Sequence, residues 1–329
     1  MYKVDPLNYL SVNDAVVVTP YHWPDTDGVA CAISVAEYLT RLKNITANAM
    51  ISQTPQLETQ WVMQKLEISL PQIDQLTNNV KLVLVDVSDP DDLPKSIIRE
   101  SVVAIIDHRT YNRAAEFPNA KVQIEDVGAA STLVAERYSS SSLLPTVTSS
   151  ILLYAGIASN TANFSTRSVT ERDKKIAEWL KGVGENIYTL GQGYMDKFVL
   201  EMFKAKSDFQ GIPLKELIGD DLSSRLQNIV GVPTAVAQLE IIGVRSLFRK
   251  RGTEIIEALK VLQVERGAGR IFMSAIDLVE KRNIFLFIRS SDIDIVNKAI
   301  DIKFDGEFYV SERVITRKEL IAVLQACYL

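Results

Sequence analysis

Histidine and cysteine are scarce in this sequence of 329 residues, which contains two of each. Cys31 and Cys327 stand far apart and in no metal-binding or redox spacing, so we expect buried, reduced thiols and a reducing compartment. No apolar run reaches the length of about 18 residues that spans a bilayer, and the first residues lack the layout of a signal peptide. We therefore expect a cytoplasmic protein that is not embedded in a membrane.

An excess of basic residues is also missing, because 36 Lys and Arg residues stand against 41 Asp and Glu residues and give a net charge of -5. This balance provides no general attraction to double-stranded nucleic acid or to an anionic membrane surface. Hydrophobic residues make up 47% of the chain, which is enough for two folded domains. A phosphate-bearing ligand must then be held by a local basic cluster or by a metal ion.

Short β-branched runs alternate with helical periodicity in the first half, which predicts an α/β domain with a parallel, Rossmann-like sheet. Its predicted strands are 14–19, 47–52, 81–87, 101–106 and 121–125, and its predicted helices are 28–42, 55–65, 93–99, 128–137, 146–158 and 170–184. The second half predicts a smaller α+β domain with a mixed sheet, formed by strands 235–242, 270–276 and 283–288 and helices 194–205, 252–265 and 317–327. A Gly-Gln-Gly stretch places the predicted domains at 1–189 and 195–329, with a hinge at 190–194.

Polar side chains follow three of the strands predicted for the first domain. Asp25 and Asp27 come after the first strand, Asp86 ends the third, and His108 follows the fourth. Because the carboxyl ends of parallel strands meet at one rim of the sheet, where ligands bind, these groups should lie close together. Carboxylates at such distances repel one another unless a cation offsets their charge, and oxygen ligands with one imidazole suit Mn²⁺ or Mg²⁺. The pattern therefore predicts a divalent metal site, although each residue alone is more typical of a helix cap or a hydrogen-bonded rim residue.

These segments resemble the motifs of the DHH phosphoesterase family. PYHWPDTD at 20–27 is similar to the first motif, usually G-H-x-x-P-D-x-D, and IDHR at 106–109 is similar to the Asp-His-His signature. Asp86 matches the second motif, VGAAST at 127–132 the glycine-containing helix start, and 153–161 the fourth motif. The second half resembles the DHH-associated domain of the second type, which occurs in manganese-dependent (family II) inorganic pyrophosphatases and in exopolyphosphatases. The segments that support this are 201–209, 235–241 and 315–320.

The resemblance implies a metal-dependent phosphohydrolase that acts on phosphoanhydride bonds, in pyrophosphate, short polyphosphate or a nucleotide-like substrate. It implies an active site in a cleft between the two domains. The implied metal ligands are Asp25, Asp27, Asp86, His108 and Asn160. The implied catalytic residues are Asp86, His108 and Arg109, and the implied substrate contacts are Arg109, Lys204, Arg317 and Lys318. The cofactor would be one or two divalent ions, with Mn²⁺ ahead of Mg²⁺ or Co²⁺. The partner would be a small phosphate-containing substrate, and a homodimer is left open.

Three positions depart from the family pattern. Tyr21 replaces the histidine of the first motif, Arg109 replaces the second histidine of the signature, and Asn160 replaces the aspartate of the fourth motif. Because altered ligands weaken metal binding, a regulatory or scaffold protein that binds metal or phosphate with weakened catalysis stays an alternative. A phosphodiesterase of oligonucleotides or cyclic dinucleotides is the second alternative. The chain has no Gly-Gly pair and no histidine after His108, whereas that branch carries a Gly-Gly-Gly-His segment.

Overall fold

The computed structural model describes residues 5–73, 80–141, 143–209, 211–222 and 226–328. The chain packs as two compact units, Met1–Phe164 with Ser168–Ala205, and Ser165–Arg167 with Lys206–Leu329. The predicted fold class is confirmed, because the first unit has a parallel sheet and the second has a mixed one. Packing divides the chain after Ala205, which is later than the predicted hinge at 190–194, and the hinge itself stays a prediction.

Five strands of the first unit form one parallel sheet: β1 (Ala15–Thr19), β2 (Thr46–Ala49), β3 (Lys81–Val85), β4 (Val102–Asp107) and β5 (Lys121–Ile124). Their order is β2-β1-β3-β4-β5, so β2 and β3 lie on opposite sides of β1. The direction in which successive strands are added to the sheet therefore reverses at β1. Open parallel sheets bind ligands outside the carboxyl ends of the strands at such a reversal. The apolar runs of β1 and β3 are almost fully buried, as expected for central parallel strands.

The helices of this unit are α1 (Thr26–Lys43), α2 (Leu57–Lys65), α3 (Ala130–Ser140), α4 (Val147–Asn160), α5 (Glu171–Gly182) and α6 (Tyr194–Lys206). Gly156 of α4 lies where the helix approaches both α1 and α3. A Cβ atom at this position would stand 2.5 Å from Ser131 Oγ, 3.2 Å from Asp27 Cα and 3.3 Å from Ala30 Cβ. The absence of a side chain therefore permits the close packing of the three helices.

The predicted helix at 93–99 is wrong. The structure has two 3₁₀ turns instead, Pro90–Asp92 and Arg99–Ser101. Asp89 accepts the Asp91 N–H and starts the first turn, and the chain then becomes extended at Leu93. Pro94 follows, and a proline disfavours helical backbone in the residue before it.

The second unit contains a six-stranded sheet and four helices in the described residues. The strands are β6 (Gln227–Ile229), β7 (Val232–Ile241), β8 (Arg270–Asp277), β9 (Arg282–Phe287), β10 (Lys303–Phe304) and β11 (Tyr309–Val310), in the order β10-β11-β9-β8-β7-β6. The helices are α7 (Leu214–Asp221), α8 (Val244–Glu265), α9 (Ser290–Ile300) and α10 (Arg317–Cys327). Only β7 and β8 pair in parallel, so the sheet is mixed. Residues of α7 and α8 pack on one face of the sheet, and residues of α9 and α10 pack on the other.

The sequence missed α7, α9 and the three shortest strands of this unit, and it began α8 at Gly252 although the helix begins at Val244. Cys31 is buried as expected, but Cys327 is partly exposed near the carboxyl end of α10. No helix within the described ranges is both long and apolar enough to cross a bilayer.

Replacement of Gly156 by alanine tests the packing of α1, α3 and α4. Gly156→Ala should lower the free energy of unfolding by about 1–3 kcal/mol, because the new methyl group overpacks the contact with Asp27 and Ser131. The matched control is Gly182→Ala in α5, where the nearest atom to an added Cβ is Asn186 Nδ2 at 4.0 Å. That change should be neutral or stabilise by up to about 1 kcal/mol, since alanine favours helix. Urea unfolding followed by circular dichroism measures both, and equal stability of the two variants would contradict the packing described here.

Candidate metal centre

Asp86 directly follows β3 and has a left-handed backbone conformation, with φ of 56°. Its N–H donates to the Ile106 carbonyl at 2.9 Å, which ties the turn to β4. Aspartate tolerates this conformation better than most residues, since its short side chain can interact locally. The turn directs the carboxylate into the protein, where the residue is 1% exposed and neither carboxylate oxygen has a hydrogen-bond partner of normal geometry among the described residues. A buried carboxylate in this state is costly unless a cation offsets its charge.

Asp27 lies in the first turn of α1 and is completely buried. Its carboxylate accepts the N–H groups of Ala130 and Ser131 at the start of α3, each at 2.8 Å. The N-cap of α3 is Ala129, whose side chain has no oxygen to accept these bonds. Asp27 therefore caps α3 from another helix, and the positive end of the α3 dipole stabilises its negative charge.

His108 follows β4, and its Nδ1 lies 3.0 Å from the Val127 carbonyl oxygen. A carbonyl only accepts, so Nδ1 carries a proton, and Nε2 is the nitrogen that would offer its lone pair when the ring is neutral. Nε2 lies 3.4 Å from Asp86 Oδ1. This orientation is the one that a metal-ligating histidine adopts when its second nitrogen is held by a backbone carbonyl.

One possible ligand atom from each of Asp27, Asp86 and His108 lies within 4.8 Å of the others. Asp27 lies in the helix that follows β1, whereas Asp86 and His108 directly follow β3 and β4. Two carboxylates and one imidazole form a donor set that fits a divalent cation of the Mn²⁺ or Mg²⁺ type, and both oxygens of the Asp86 carboxylate are buried without a hydrogen bond in the described part of the chain.

The pKa values of the cluster report the charge that a cation would offset. Burial, with the carboxylates of Asp27 and Asp25, raises the pKa of Asp86 to about 7. Burial and Asp27 likewise raise the pKa of Asp25. For His108, burial favours the neutral ring, but Asp86 and the other nearby carboxylates outweigh it and raise the pKa to about 9. Each of these shifts reflects an excess of negative charge in a place that water reaches poorly.

Asp25 and Tyr21 lie beside the cluster. Asp25 is the N-cap of α1 and accepts the Gly28 N–H at 2.9 Å, so its carboxylate already has a capping role. Its own N–H donates to the Tyr21 hydroxyl at 3.1 Å. His22 takes another direction, because its Nδ1 pairs with Ser52 Oγ at 3.2 Å.

Arg109 brings a positive charge to the same rim. Its Nη1 donates to Asp92 Oδ2 at 3.2 Å, and its Nη2 lies 3.8 Å from Asp86 Oδ2. The guanidinium carbon stands 5.0 Å from the centre of the Tyr21 ring. Asp107, the aspartate of the signature, accepts the N–H groups of His108 and Arg109 at 2.7 and 3.2 Å. Its carboxylate thus shapes the turn that presents the two side chains.

Asn160, the last residue of α4, offers its amide nitrogen to the site. Nδ2 donates to the Gly128 carbonyl at 2.8 Å and lies 3.2 Å from His108 Nε2. The amide oxygen would have to turn towards the cluster to ligate an ion, so the predicted ligand role of Asn160 stays a prediction.

Sequence reasoning missed the residues that hold the ligands in place. Asp173 of α5 is completely buried and accepts the Gly128 N–H with both oxygens at 3.0 Å, and Gly128 in turn accepts from Asn160. Asp173 also completes a capping box with Thr170. The Thr-x-x-Asp spacing of that box was readable in the sequence, but its link to Gly128 was not.

The predicted phosphate-binding residues lie on two other helices. Lys204 is exposed on α6, and Lys318 is exposed on α10. Arg317 begins α10, and its N–H donates to Gln238 Oε1 at 2.6 Å. Their substrate-binding roles stay predictions.

Comparisons with known proteins show which proteins the chain is similar to. The model of the DHH family, N-terminal domain, matches residues 15–157, which include β1, β3, β4 and the cluster. A manganese-dependent inorganic pyrophosphatase of Methanothrix thermoacetophila is 26% identical over 94% of this chain and 96% of its own length. Another, from Methanocaldococcus jannaschii, is 25% identical over 93% and 96%.

A solved structure shows the same fold. The crystal structure assigned to a family II inorganic pyrophosphatase of Methanococcus jannaschii superposes with a TM-score of 0.67 at 23% identity, over 95% of this chain and 99% of that one. Residues 15–157 thus match the amino-terminal domain of the DHH family, in a chain that is similar to manganese-dependent inorganic pyrophosphatases over most of its length.

Proposed function

We propose that this protein is a metal-dependent phosphohydrolase that cleaves phosphoanhydride bonds, in pyrophosphate, short polyphosphate or a nucleotide-like compound. The observation that carries the proposal is the cluster of Asp27, Asp86 and His108, whose ligand atoms lie within 4.8 Å of one another and in which the buried Asp86 carboxylate has no hydrogen-bond partner among the described residues. Relatives named manganese-dependent inorganic pyrophosphatases, matched over nearly their whole length, support the substrate class. They also favour Mn²⁺ over Mg²⁺ or Co²⁺, with one or two ions per chain.

The three ligands are held rigidly before any ion arrives. The N–H groups of α3 fix Asp27, the turn after β3 fixes Asp86, and the Val127 carbonyl fixes the ring of His108. A divalent ion held by Asp27, Asp86 and His108 would act as a Lewis acid that polarises a phosphoryl oxygen and activates water. The protein contributes orientation and a site from which much of the water is excluded, which strengthens each electrostatic interaction.

Arg109 is the residue that we assign to the phosphate group. Its side chain is 32% exposed, and in the described part of the chain its guanidinium makes one hydrogen bond, to Asp92. The remaining N–H groups can donate to phosphate oxygens, for which the planar guanidinium is well matched. Lys204, Arg317 and Lys318 belong to the same proposal as further cationic contacts, and so do the cytoplasmic location and the small phosphate-containing partner.

A second candidate is a protein that binds metal and phosphate with little turnover, in a regulatory or scaffold role. The observation that favours it is the pair of unusual neighbours, since the amide nitrogen of Asn160 faces His108 Nε2 and Arg109 faces Asp86. Both neighbours are poor substitutes for metal ligands, and changes of this kind alter metal affinity by about 10–100-fold.

Phosphate release separates the two candidates. Pyrophosphate, tripolyphosphate and ATP, each with Mn²⁺, Mg²⁺ or Co²⁺, should give the fastest release with Mn²⁺ and an inorganic anhydride. His108→Ala should reduce this release by at least about 100-fold, since one ligand is lost. Binding of Mn²⁺ and pyrophosphate without release would establish the second candidate, and the absence of both would contradict the two proposals together.

Metal binding itself is tested at Asp86. Asp86→Asn should abolish Mn²⁺ binding in calorimetry, whereas Asp89→Asn should leave it unchanged, since Asp89 only caps a surface turn and pairs with Arg113. Without metal, Asp86→Asn should also raise the free energy of unfolding by about 1–3 kcal/mol, because a neutral amide removes the cost of a buried charge that lies close to the carboxylates of Asp27 and Asp25. Equal Mn²⁺ binding by the two variants would show that the cluster is not the metal site.

A further inference from the structure

We propose that Arg109 is a built-in cation that limits this site to one divalent ion, with Asp92 and Tyr21 as the residues that hold its guanidinium in position. The inference rests on the proposed metal site at Asp27, Asp86 and His108. It adds a stoichiometry and a cause for it, which the proposed function leaves open.

The two carboxylate oxygens of Asp86 face different groups. Oδ1 lies 3.4 Å from His108 Nε2, on the side of the three-ligand cluster. Oδ2 lies 3.8 Å from Arg109 Nη2. A carboxylate that bridges two ions through its two oxygens needs both of them for metal, but here Oδ2 lies opposite a permanent positive charge.

The same guanidinium also acts on Asp25, a further carboxylate of the first motif. Asp25 Oδ1 and Asp86 Oδ2 each lie 3.6 Å from the position that a Cβ atom would take at Gly28, so they border the same small volume. A second ion would need these two oxygens. Asp25 Oδ1 already accepts the Gly28 N–H, and a divalent ion beside Arg109 would meet a repulsion well above thermal energy.

Arg109 is held firmly enough to act in this way. Asp92 Oδ2 accepts its Nη1 at 3.2 Å, while the guanidinium carbon stands 5.0 Å from the centre of the Tyr21 ring, a geometry typical of cation–π contacts. Both supports are anchored, because the Tyr21 hydroxyl accepts the Asp25 N–H and the Asp92 carbonyl accepts the His22 N–H at 2.9 Å. Arginine keeps its charge at every physiological pH, so the exclusion is permanent.

Mn²⁺ titration of the full chain tests the inference. Elemental analysis after desalting counts the bound ions, and electron paramagnetic resonance shows whether they are isolated or magnetically coupled. The unaltered protein should bind one ion per chain and give the spectrum of isolated Mn²⁺. Arg109→Ala should bind a second ion, show coupling between the two ions, and bind the first about tenfold more tightly once the nearby charge is removed. Arg109→Lys keeps the charge and should retain a count of one.

Arg113→Ala is the matched control, because Arg113 lies in the same loop and pairs with Asp89, Asp91 and Glu116 rather than with Asp86. It should bind one ion. The combined variant Tyr21→His, Arg109→His, Asn160→Asp removes the guanidinium and supplies new ligands, so it should bind two ions even if Arg109→Ala folds poorly.

Three outcomes overturn the inference. Two ions in the unaltered protein would refute it and leave the proposed function intact. A count of one in both Arg109→Ala and the combined variant would show that charge at this position does not set the stoichiometry. No bound ion in the unaltered protein would remove the metal site itself, and with it both proposals.

Discussion

The first unit depends on a buried carboxylate of one helix that caps the amino-terminal end of another. Asp27 of α1 accepts the first N–H groups of α3, a helix whose own N-cap is alanine. The start of α3 would otherwise be buried with unsatisfied donors, which is costly. Because the same carboxylate belongs to the cluster with Asp86 and His108, the packing of α1 against α3 also sets the position of a candidate ligand. Fold stability and site geometry thus share one interaction.

A second interaction extends this arrangement to α5. Asp173 holds the Gly128 N–H, the neighbouring Val127 carbonyl holds the ring of His108, and the Gly128 carbonyl holds Asn160. The segment 127–128, which precedes α3, therefore links α4 and α5 to the imidazole of His108 through hydrogen bonds. Outer contacts of this kind fix the tautomer and the direction of a ligating histidine, so they are as much part of the site as the ligands.

The sequence predicted the parts of the fold that follow from local pattern. The buried strands β1, β3 and β4 appear as unbroken apolar runs, and α10 was predicted with its observed bounds. The failures have physical causes. The segment 93–99 contains apolar residues at helical spacing but also Pro94, and α9 is a short helix in which only Asp292 and Val296 are fully buried. The two-residue strands β10 and β11 are too short to show any alternation.

The clustering of strand-end residues such as Asp86 and His108 was also predictable, because parallel strands share a rim. The sequence could not show in which direction the individual side chains point. That the Asn160 amide nitrogen faces His108, or that Asp92 reaches Arg109, depends on loops and helices far apart in the chain.

The left-handed backbone at Asp86 limits how this site can change during evolution. Glycine, asparagine and aspartate adopt that conformation at low cost, and of these only aspartate carries a charge. Glutamate also carries a carboxylate, but its side chain is longer, and it would strain the left-handed backbone at this position. Position 86 is therefore almost closed to variation as long as a cation is needed. Arg109 lies outside the left-handed region and Asn160 ends a regular helix, so the chemistry of the rim can diverge at those two positions without disturbing the backbone.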